Sequence, residues 1–167
     1  MKRFGMILAA LLLLVGCAGP ARNASAVFVD PNAVQAGAYG DLYFTANGYS
    51  FGIYDPIDEV LKHLVPNGTF AEASCAYEGE DVRYFFGGFE VMTNEIDGAV
   101  RVTAIDIMED TVKTPDGLYI GMSEAALCDV LGVPMGDGLY RTVDGTAQRT
   151  VTVVDGTVRA ISYLPAQ

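Results

Sequence analysis

The stretch DPIDEVLKHLVPNG, residues 55–68, decides the fold because it predicts one helix between two groups of strands. Asp55 is a favourable N-cap, and Pro56 suits the first helical position, where its missing N–H costs nothing. Four apolar residues recur at i, i+3, i+4 and i+7 and form one stripe: Ile57, Val60, Leu61 and Leu64. Pro66-Asn67-Gly68 ends the pattern. We therefore expect a short amphipathic helix with one buried face.

Short β-prone runs lie on both sides of this helix. Before it, Leu42–Thr45 and Tyr49–Ile53 enclose Asn47-Gly48, a hairpin signal. After it, glycine-containing turns separate four runs: Ala73–Tyr77, Arg83–Phe86, Phe89–Asn94 and Ala99–Met108. The chain holds nine tyrosines and eight phenylalanines, a composition that favours strands.

A second helix followed by strands occupies the rest of the chain. Pro115-Asp116-Gly117 predicts a turn into Leu118–Ile120, and Ser123 is placed to cap a helix that ends before Gly132. This helix carries Leu127, Val130 and Leu131, and three predicted strands follow it: Leu139–Val143, Gln148–Val154 and Val158–Leu164. We predict an α+β fold of tandem α-βββ halves, about 41–110 and 111–167, whose strands form one antiparallel sheet with both helices on one face.

The N-terminus carries an export signal. Lys2 and Arg3 precede an apolar run, and Leu14-Val15-Gly16-Cys17 has the arrangement of a bacterial lipobox. The apolar run is shorter than the roughly 20 residues of a spanning helix, and an ordinary signal peptide is the remaining alternative. We predict a signal peptide at 1–16, acylation of Cys17 by a fatty chain such as palmitate, a flexible tether at 17–40 and a single domain at 41–167. The protein would then be anchored on the extracytoplasmic face of the cell membrane.

The charge of the chain limits its partners. Removal of the signal peptide takes away Lys2 and Arg3 and leaves eight basic and 21 acidic residues, a net charge of −13. Such a surface repels nucleic acid and anionic head groups, so nucleic-acid binding is excluded.

Two cysteines remain if Cys17 carries lipid. Cys75 and Cys128 are an even pair in an oxidising compartment and predict a disulfide. It would close a loop of roughly 50 residues, worth on the order of 4 kcal/mol in the chain-entropy model. The alternative is two free thiols in apolar surroundings.

The sequence predicts no catalytic residue, metal site or cofactor. His63 is the sole histidine, and no nucleophile motif accompanies a serine or cysteine. The five Asp-Gly pairs predict hairpin turns, since none belongs to a calcium-loop pattern. Asp106, Glu109 and Asp110 form the densest acidic group, which is typical of a solvated strand end. A sugar-cutting cleft is disfavoured because the chain has no tryptophan.

One aromatic run is the candidate binding surface. Tyr84 and Phe86 are predicted to share an open sheet face with Glu90 and Met92, and exposed aromatics and methionine beside acids suit a protein-binding surface. The alternative is that the aromatics of both faces are core. The leading hypothesis is a non-enzymatic, lipid-anchored module that binds a protein or envelope component. The alternatives are an inhibitor of a secreted hydrolase and a small-solute-binding lipoprotein, the latter requiring a closed pocket of roughly 300 Å³.

The span Phe44–Leu164 resembles a group of small acidic lipoproteins from Gram-positive gut bacteria. The resemblance rests on FTANGYSFGIYDPIDEVL, SCAYEGEDVRYFFGGFEV and the run DTVKTPDGLYIGMS at 110–123. Their arrangement is similar to the β-lactamase-inhibitor-protein fold and to the small lipoprotein subunit of the outer-membrane assembly machine. The resemblance implies helices on one face of an antiparallel sheet and a tendency towards protein binding. It carries no inhibitory residues over to this chain.

Overall fold

The computed structural model describes residues 42–75, 79–134 and 136–167. The predicted signal peptide, Cys17 and the tether to residue 40 lie outside these residues. Within the described ranges, no helix combines the length and apolar character that crossing a bilayer requires.

The described residues form nine strands and two helices. Strands β1 and β2 form a hairpin, helix α1 follows, and four strands come before helix α2 and three after it. Their bounds are β1 Phe44–Ala46, β2 Tyr49–Phe51, α1 Ile57–His63, β3 Gly68–Ala73, β4 Glu80–Phe85, β5 Phe89–Ile96, β6 Ala99–Ile107, α2 Glu124–Leu131, β7 Leu139–Asp144, β8 Ala147–Val154 and β9 Thr157–Pro165. The predicted hairpin turn at Asn47-Gly48 is confirmed, with φ angles of 49° and 78°.

One sheet contains seven of these strands, all antiparallel, in the order β3-β4-β5-β6-β9-β8-β7. At its centre β6 pairs with β9 through Ile105 opposite Tyr163 and Ile107 opposite Ile161. The structure has the mixed helix and sheet of the predicted α+β class. The seven strands after α1 form one antiparallel sheet, whereas β1 and β2 form a separate two-stranded sheet. Four strands rather than three follow α1, and the predicted run Leu118–Ile120 lies in a loop, where the backbone N–H of Leu118 donates to the Thr114 hydroxyl at 2.8 Å.

The two faces of the sheet differ in what covers them. We call the helix-covered face the one that carries Val91, Ile105, Ile161 and Tyr163, and the open face the one that carries the residues alternating with them. Val60 of α1 and Leu127 of α2 are both fully buried in the same hydrophobic cluster as the helix-covered side chains. The β1–β2 hairpin also packs on this face, where the Phe44 ring lies 4.8 Å from that of Phe89. Both helices therefore lie on one face.

The helix starts differ from the prediction in one case. Ser123 caps α2 as predicted, because its hydroxyl accepts from the Ala126 N–H at 3.3 Å. Asp55 does not cap α1. Its carboxylate accepts the Gly52 N–H at 2.9 Å and closes the turn before the helix, and Pro56 takes the N-cap position. The competing local hydrogen bond explains the difference.

The predicted disulfide is not formed. Cys75 and Cys128 are both free. Cys75 follows β3 at one edge of the sheet, whereas the Cys128 sulfur lies 3.2 Å from the Tyr140 hydroxyl of β7 at the other edge. Six strand spacings of about 4.8 Å separate these edges, roughly 25–30 Å, and a disulfide requires Cα atoms within about 7 Å.

Candidate protein-binding face

A continuous row of side chains crosses the open face. Cross-strand partners in an antiparallel sheet point to the same side, so the strand registers define the row without gaps. The row runs from β4 to β7 through Phe85, Glu90, Asp106, Ser162, Thr150 and Arg141. Neither helix packs on this side. The two ends of the row, Phe85 and Arg141, are exposed, whereas its central members are half-buried or, for Glu90, buried.

The centre of the row is acidic. Glu90 and Asp106 lie directly opposite each other on β5 and β6, and like charges in this position are destabilising. Arg83 Nη1 lies 3.6 Å from the Glu90 carboxylate, and the Ser162 hydroxyl donates to Asp106. Glu90 is only 7% exposed, and Arg83 is the cation beside it. The centre of the open face therefore carries two neighbouring carboxylates, that of Glu90 buried and that of Asp106 half-buried.

Apolar side chains lie on both sides of this centre. Phe70 of β3 is 53% exposed and Phe85 of β4 is 38% exposed, and Val143 of β7 is 56% exposed at the opposite edge. Met92 is half-buried on β5, opposite Arg83. A mixture of exposed aromatic, methionine and charged side chains on a broad, helix-free face is typical of a surface that binds protein.

The structure divides the four predicted site residues between the two faces. Glu90 and Met92 lie on the open face, as expected. Tyr84 lies opposite Val91 and so points to the helix-covered face, where it packs against the core. Phe86 stacks on Phe89 at 5.0 Å between ring centroids and packs against the same core. The predicted grouping of all four on one face is therefore wrong.

Sequence reasoning missed Phe70 and Phe85 as the aromatics of the open face. The prediction assigned the wrong residues of β4 to the open face. Residues i and i+1 on a strand point to opposite faces, so an error of one residue exchanges the two faces. The alternation of β5 held the missing signal. Phe89 and Val91 are apolar and flank Glu90, so the β4 residue opposite Glu90, Phe85, shares its face.

A cleft lies at the edge of the helix-covered side. It has a volume of about 330 Å³ and is lined by the β1–β2 hairpin, the segment after α1 and the β4–β5 turn. Phe44, Phe86 and Phe89 contribute aromatic walls, and Lys113 is the cation in the lining. The cleft is not enclosed, unlike the closed pocket expected of a solute-binding protein.

Two polar clusters lie away from the open face and fix the fold. Arg149 of β8, 4% exposed, forms a bidentate pair with Asp116 at 2.7 Å for both bonds, and Thr114 also donates to Asp116. Burial opposes ionisation of Asp116, but the bonds and charge of Arg149 outweigh it, so the pKa of Asp116 is lowered. Arg149 thereby pins the loop before α2 onto the sheet.

The second cluster joins α2 to β7. The Tyr140 hydroxyl donates to Glu124 at 3.0 Å and contacts the Cys128 sulfur. Burial, and then the contacts with Cys128 and Glu124, raise the pKa of Tyr140.

The remaining predicted chemistry was sought among residues 42–75, 79–134 and 136–167. No group of three or more His, Cys, Asp or Glu side chains that could hold a metal occurs in these ranges. His63 stacks on Tyr49 with the ring centroids 4.1 Å apart. Comparison with known protein families, curated proteins and solved structures found no match.

Proposed function

We propose that this protein is a lipid-anchored, extracytoplasmic module that binds another protein through the open face of its sheet and carries out no reaction of its own. The observation that supports binding is the exposure of Phe70 and Phe85 beside the Glu90–Asp106 pair on the face that neither helix covers. Apolar side chains supply contact area, and the carboxylates select a partner of complementary charge.

The anchor gives this binding its location. Acylation of Cys17 would hold the domain at the outer side of the bilayer, and the 17–40 segment would act as the spacer. A tethered binder meets membrane-bound partners at a high effective concentration, so a modest affinity is sufficient. Metabolic labelling with an alkyne-bearing fatty acid tests the anchor: label on the native chain and none on Cys17→Ala is expected, and equal labelling contradicts it.

The tandem halves are part of this proposal. Ahead of α1, the Tyr54 N–H donates to Val102 O at 2.8 Å and the Val102 N–H returns to Asp55 O at 2.9 Å. Ahead of α2, the Gly121 N–H donates to Val158 O and the Val158 N–H returns to Met122 O, both at 2.9 Å. The same pair of bonds at the same place in each half supports a duplicated helix–strand unit, as does the sheet order that places β6 beside β9.

The binding proposal is tested by proximity labelling in the native cell. Phe85→Ser with Met92→Ser changes the open face, and Val130→Ser with Val133→Ser is the matched control, since Val130 and Val133 are 44% and 67% exposed and lie on and just after α2, away from the cleft. We expect the open-face variant to lose labelled partners that the control retains. Equal partner sets for both variants would refute this surface.

The cleft supports a second candidate function, the binding of a small apolar anion. Its aromatic walls and Lys113 suit a ligand with an apolar body and a carboxylate. A thermal shift of at least about 2 °C with phenylbutyrate, lost in Lys113→Gln, is expected if the cleft is a binding site. No shift at millimolar phenylbutyrate rejects this candidate.

A further inference from the structure

We propose that β3 is a docking strand which accepts an extended segment of a partner protein as an eighth, antiparallel strand, with a basic residue opposite Glu72 and an apolar residue opposite Phe70. This inference rests on the proposed protein-binding function and specifies how the partner is held. The segment carries the pattern basic-x-apolar, read from its N-terminus.

The position of β3 supplies the backbone groups. Its only strand neighbour among the described residues is β4, and all six of its side chains are exposed. The Ser74 N–H donates to Gly79 O at 3.0 Å just beyond the paired region. Backbone groups alternate in direction along an antiparallel ladder. The N–H and C=O groups of Phe70 and Glu72 therefore point towards β4, and those of Thr69, Ala71 and Ala73 point away from the sheet.

Among the described residues, the charge of Glu72 is the one usual protection that this edge strand carries. Proteins block free edges with lysine, proline, a bulge or a covering element. The sequence GTFAEA has no lysine or proline, and it pairs with β4 in an unbroken register from Gly68 opposite Phe85 to Ala73 opposite Glu80. An exposed edge strand with an unbroken register is the structure to which peptides add as strands.

The register determines which side chains of the incoming strand matter. Residues opposite Phe70 and Glu72 would form non-hydrogen-bonded pairs, in which side chains approach most closely, and they would lie on the open face. An antiparallel strand meets Glu72 first and Phe70 two residues later. A segment with a basic residue and, two positions later, an apolar residue therefore places the first opposite Glu72 and the second opposite Phe70.

Charge favours a basic partner over a second copy of this chain. The strands β3 and β4 carry three acids, Glu72, Glu80 and Asp81, against Arg83. Arg83 is already shared between Glu72 at 3.3 Å and Glu90 at 3.6 Å. Pairing of two β3 strands about a two-fold axis at Ala71 would set each Glu72 against Phe70 of the other copy and bring two acidic edges together.

The probe is a labelled, acetylated and amidated peptide, Ser-Thr-Arg-Thr-Phe-Thr-Ser, mixed with the chain from residue 17 onward carrying Cys17→Ser. We expect saturable binding by fluorescence anisotropy. Methylation of the backbone nitrogen of the central threonine, opposite Ala71, should weaken binding roughly tenfold or more, because that N–H bonds to β3. Methylation of the phenylalanine nitrogen, which points to solvent, should change it less than about twofold.

Protein variants test the same geometry from the other side. Ala71→Pro removes an outward N–H without breaking the β3–β4 ladder and should abolish binding. Val143→Pro is the matched control at the free edge of β7 and should leave binding unchanged. Glu72→Gln should weaken binding about threefold. The methylated peptides leave the protein unaltered, so a poorly folded proline variant does not remove the test.

Three results would overturn the inference: absence of binding, equal effects of the two methylations, or equal affinity for the reversed peptide Ser-Thr-Phe-Thr-Arg-Thr-Ser. A concentration-dependent dimer that Ala71→Pro dissociates would assign the edge to a second copy instead. The proposed function fails separately. If the open-face variant loses its cellular partners while the peptide does not bind, the face binds protein by another mode and only the docking strand is rejected.

Discussion

The two edge strands of the sheet have the same length and one aromatic residue each, but their surroundings differ. β7 is LYRTVD and β3 is GTFAEA, each with an aromatic residue inside the strand. Tyr140 of β7 is 2% exposed and hydrogen-bonds to Glu124 on α2, whereas Phe70 of β3 is 53% exposed. The helix α2 therefore covers the aromatic side chain of one edge strand, whereas the aromatic side chain of the other edge strand is left exposed to solvent.

Truncation of the two edge aromatics should show the largest difference. Tyr140→Ala removes a buried ring and leaves Glu124 without its donor, so we expect the free energy of unfolding to fall by about 3–5 kcal/mol. Phe70→Ala should change it by less than about 0.5 kcal/mol, because the ring is mostly in water. Urea denaturation of both variants measures this, and equal losses would mean that Phe70 is buried in solution.

The two arginine pairs near the edges should differ next. Arg149→Met removes the buried partner of Asp116, and we expect a loss of about 2–3 kcal/mol, at the lower end for a broken buried pair because Asp116 stays partly solvated. Glu72→Gln breaks a pair with Arg83 in which both side chains are more than one third exposed, and it leaves the Arg83–Glu90 contact in place, so we expect a loss of less than about 1 kcal/mol. Denaturant midpoints at low salt test the contrast, and a larger loss for Glu72→Gln than for Arg149→Met would contradict it.

Acid should act on the Arg149 side of the sheet. The pKa of Asp116 is lowered in the folded state, so its contribution is present above the ordinary aspartate pKa and is lost as the pH falls through the folded value. We expect the melting temperature of Asp116→Asn to fall less than that of the unmodified chain between neutral pH and about pH 3. Parallel pH profiles for the two proteins would show that this pair does not contribute.

Hydrogen exchange should resolve the smallest difference. The amides of Ala71 and Ala73 point away from the sheet and should exchange without protection, whereas those of Phe70 and Glu72 should be protected by β4. On β7, Tyr140 and Thr142 should be protected through β8. Slow exchange at Ala71 in the isolated chain would mean that another segment already covers this edge.

Local patterns in the sequence predicted much of this fold. Asn47-Gly48 predicted the hairpin and Ser123 the cap of α2, because each depends on neighbouring residues. The apolar spacing predicted the burial of Val60 and Leu127, but Val130, also expected on the α2 stripe, is 44% exposed. The predicted strand at Ala73–Tyr77 overlaps β3, which lies at Gly68–Ala73, only at Ala73; Ser74 and Cys75 are not in a strand, and residues 76–77 lie outside the described residues. All six β3 side chains are exposed, so no apolar alternation marks the strand.

The candidate site was predicted less well than the fold. Glu90 and Met92 were placed on the correct face, whereas Tyr84 and Phe86 were exchanged with Phe85. In an aromatic run every residue is apolar, so the run itself does not show which side chains point to which face of the sheet. Pairing with the neighbouring strand decides this. The Cys75–Cys128 pairing failed for a related reason, since counting cysteines does not measure the distance between them.

The amino-acid sequence by itself determined the acidic charge, the helix and turn positions and the antiparallel class, because propensity, capping and charge are properties of short segments. The export signal stays a prediction from the sequence. Only the tertiary structure decided the strand order, the parity of the faces and the exposure of β3. Those features depend on which distant strands hydrogen-bond to each other, and β6 pairs with β9 across more than fifty residues of chain. A local pattern contains no record of that pairing.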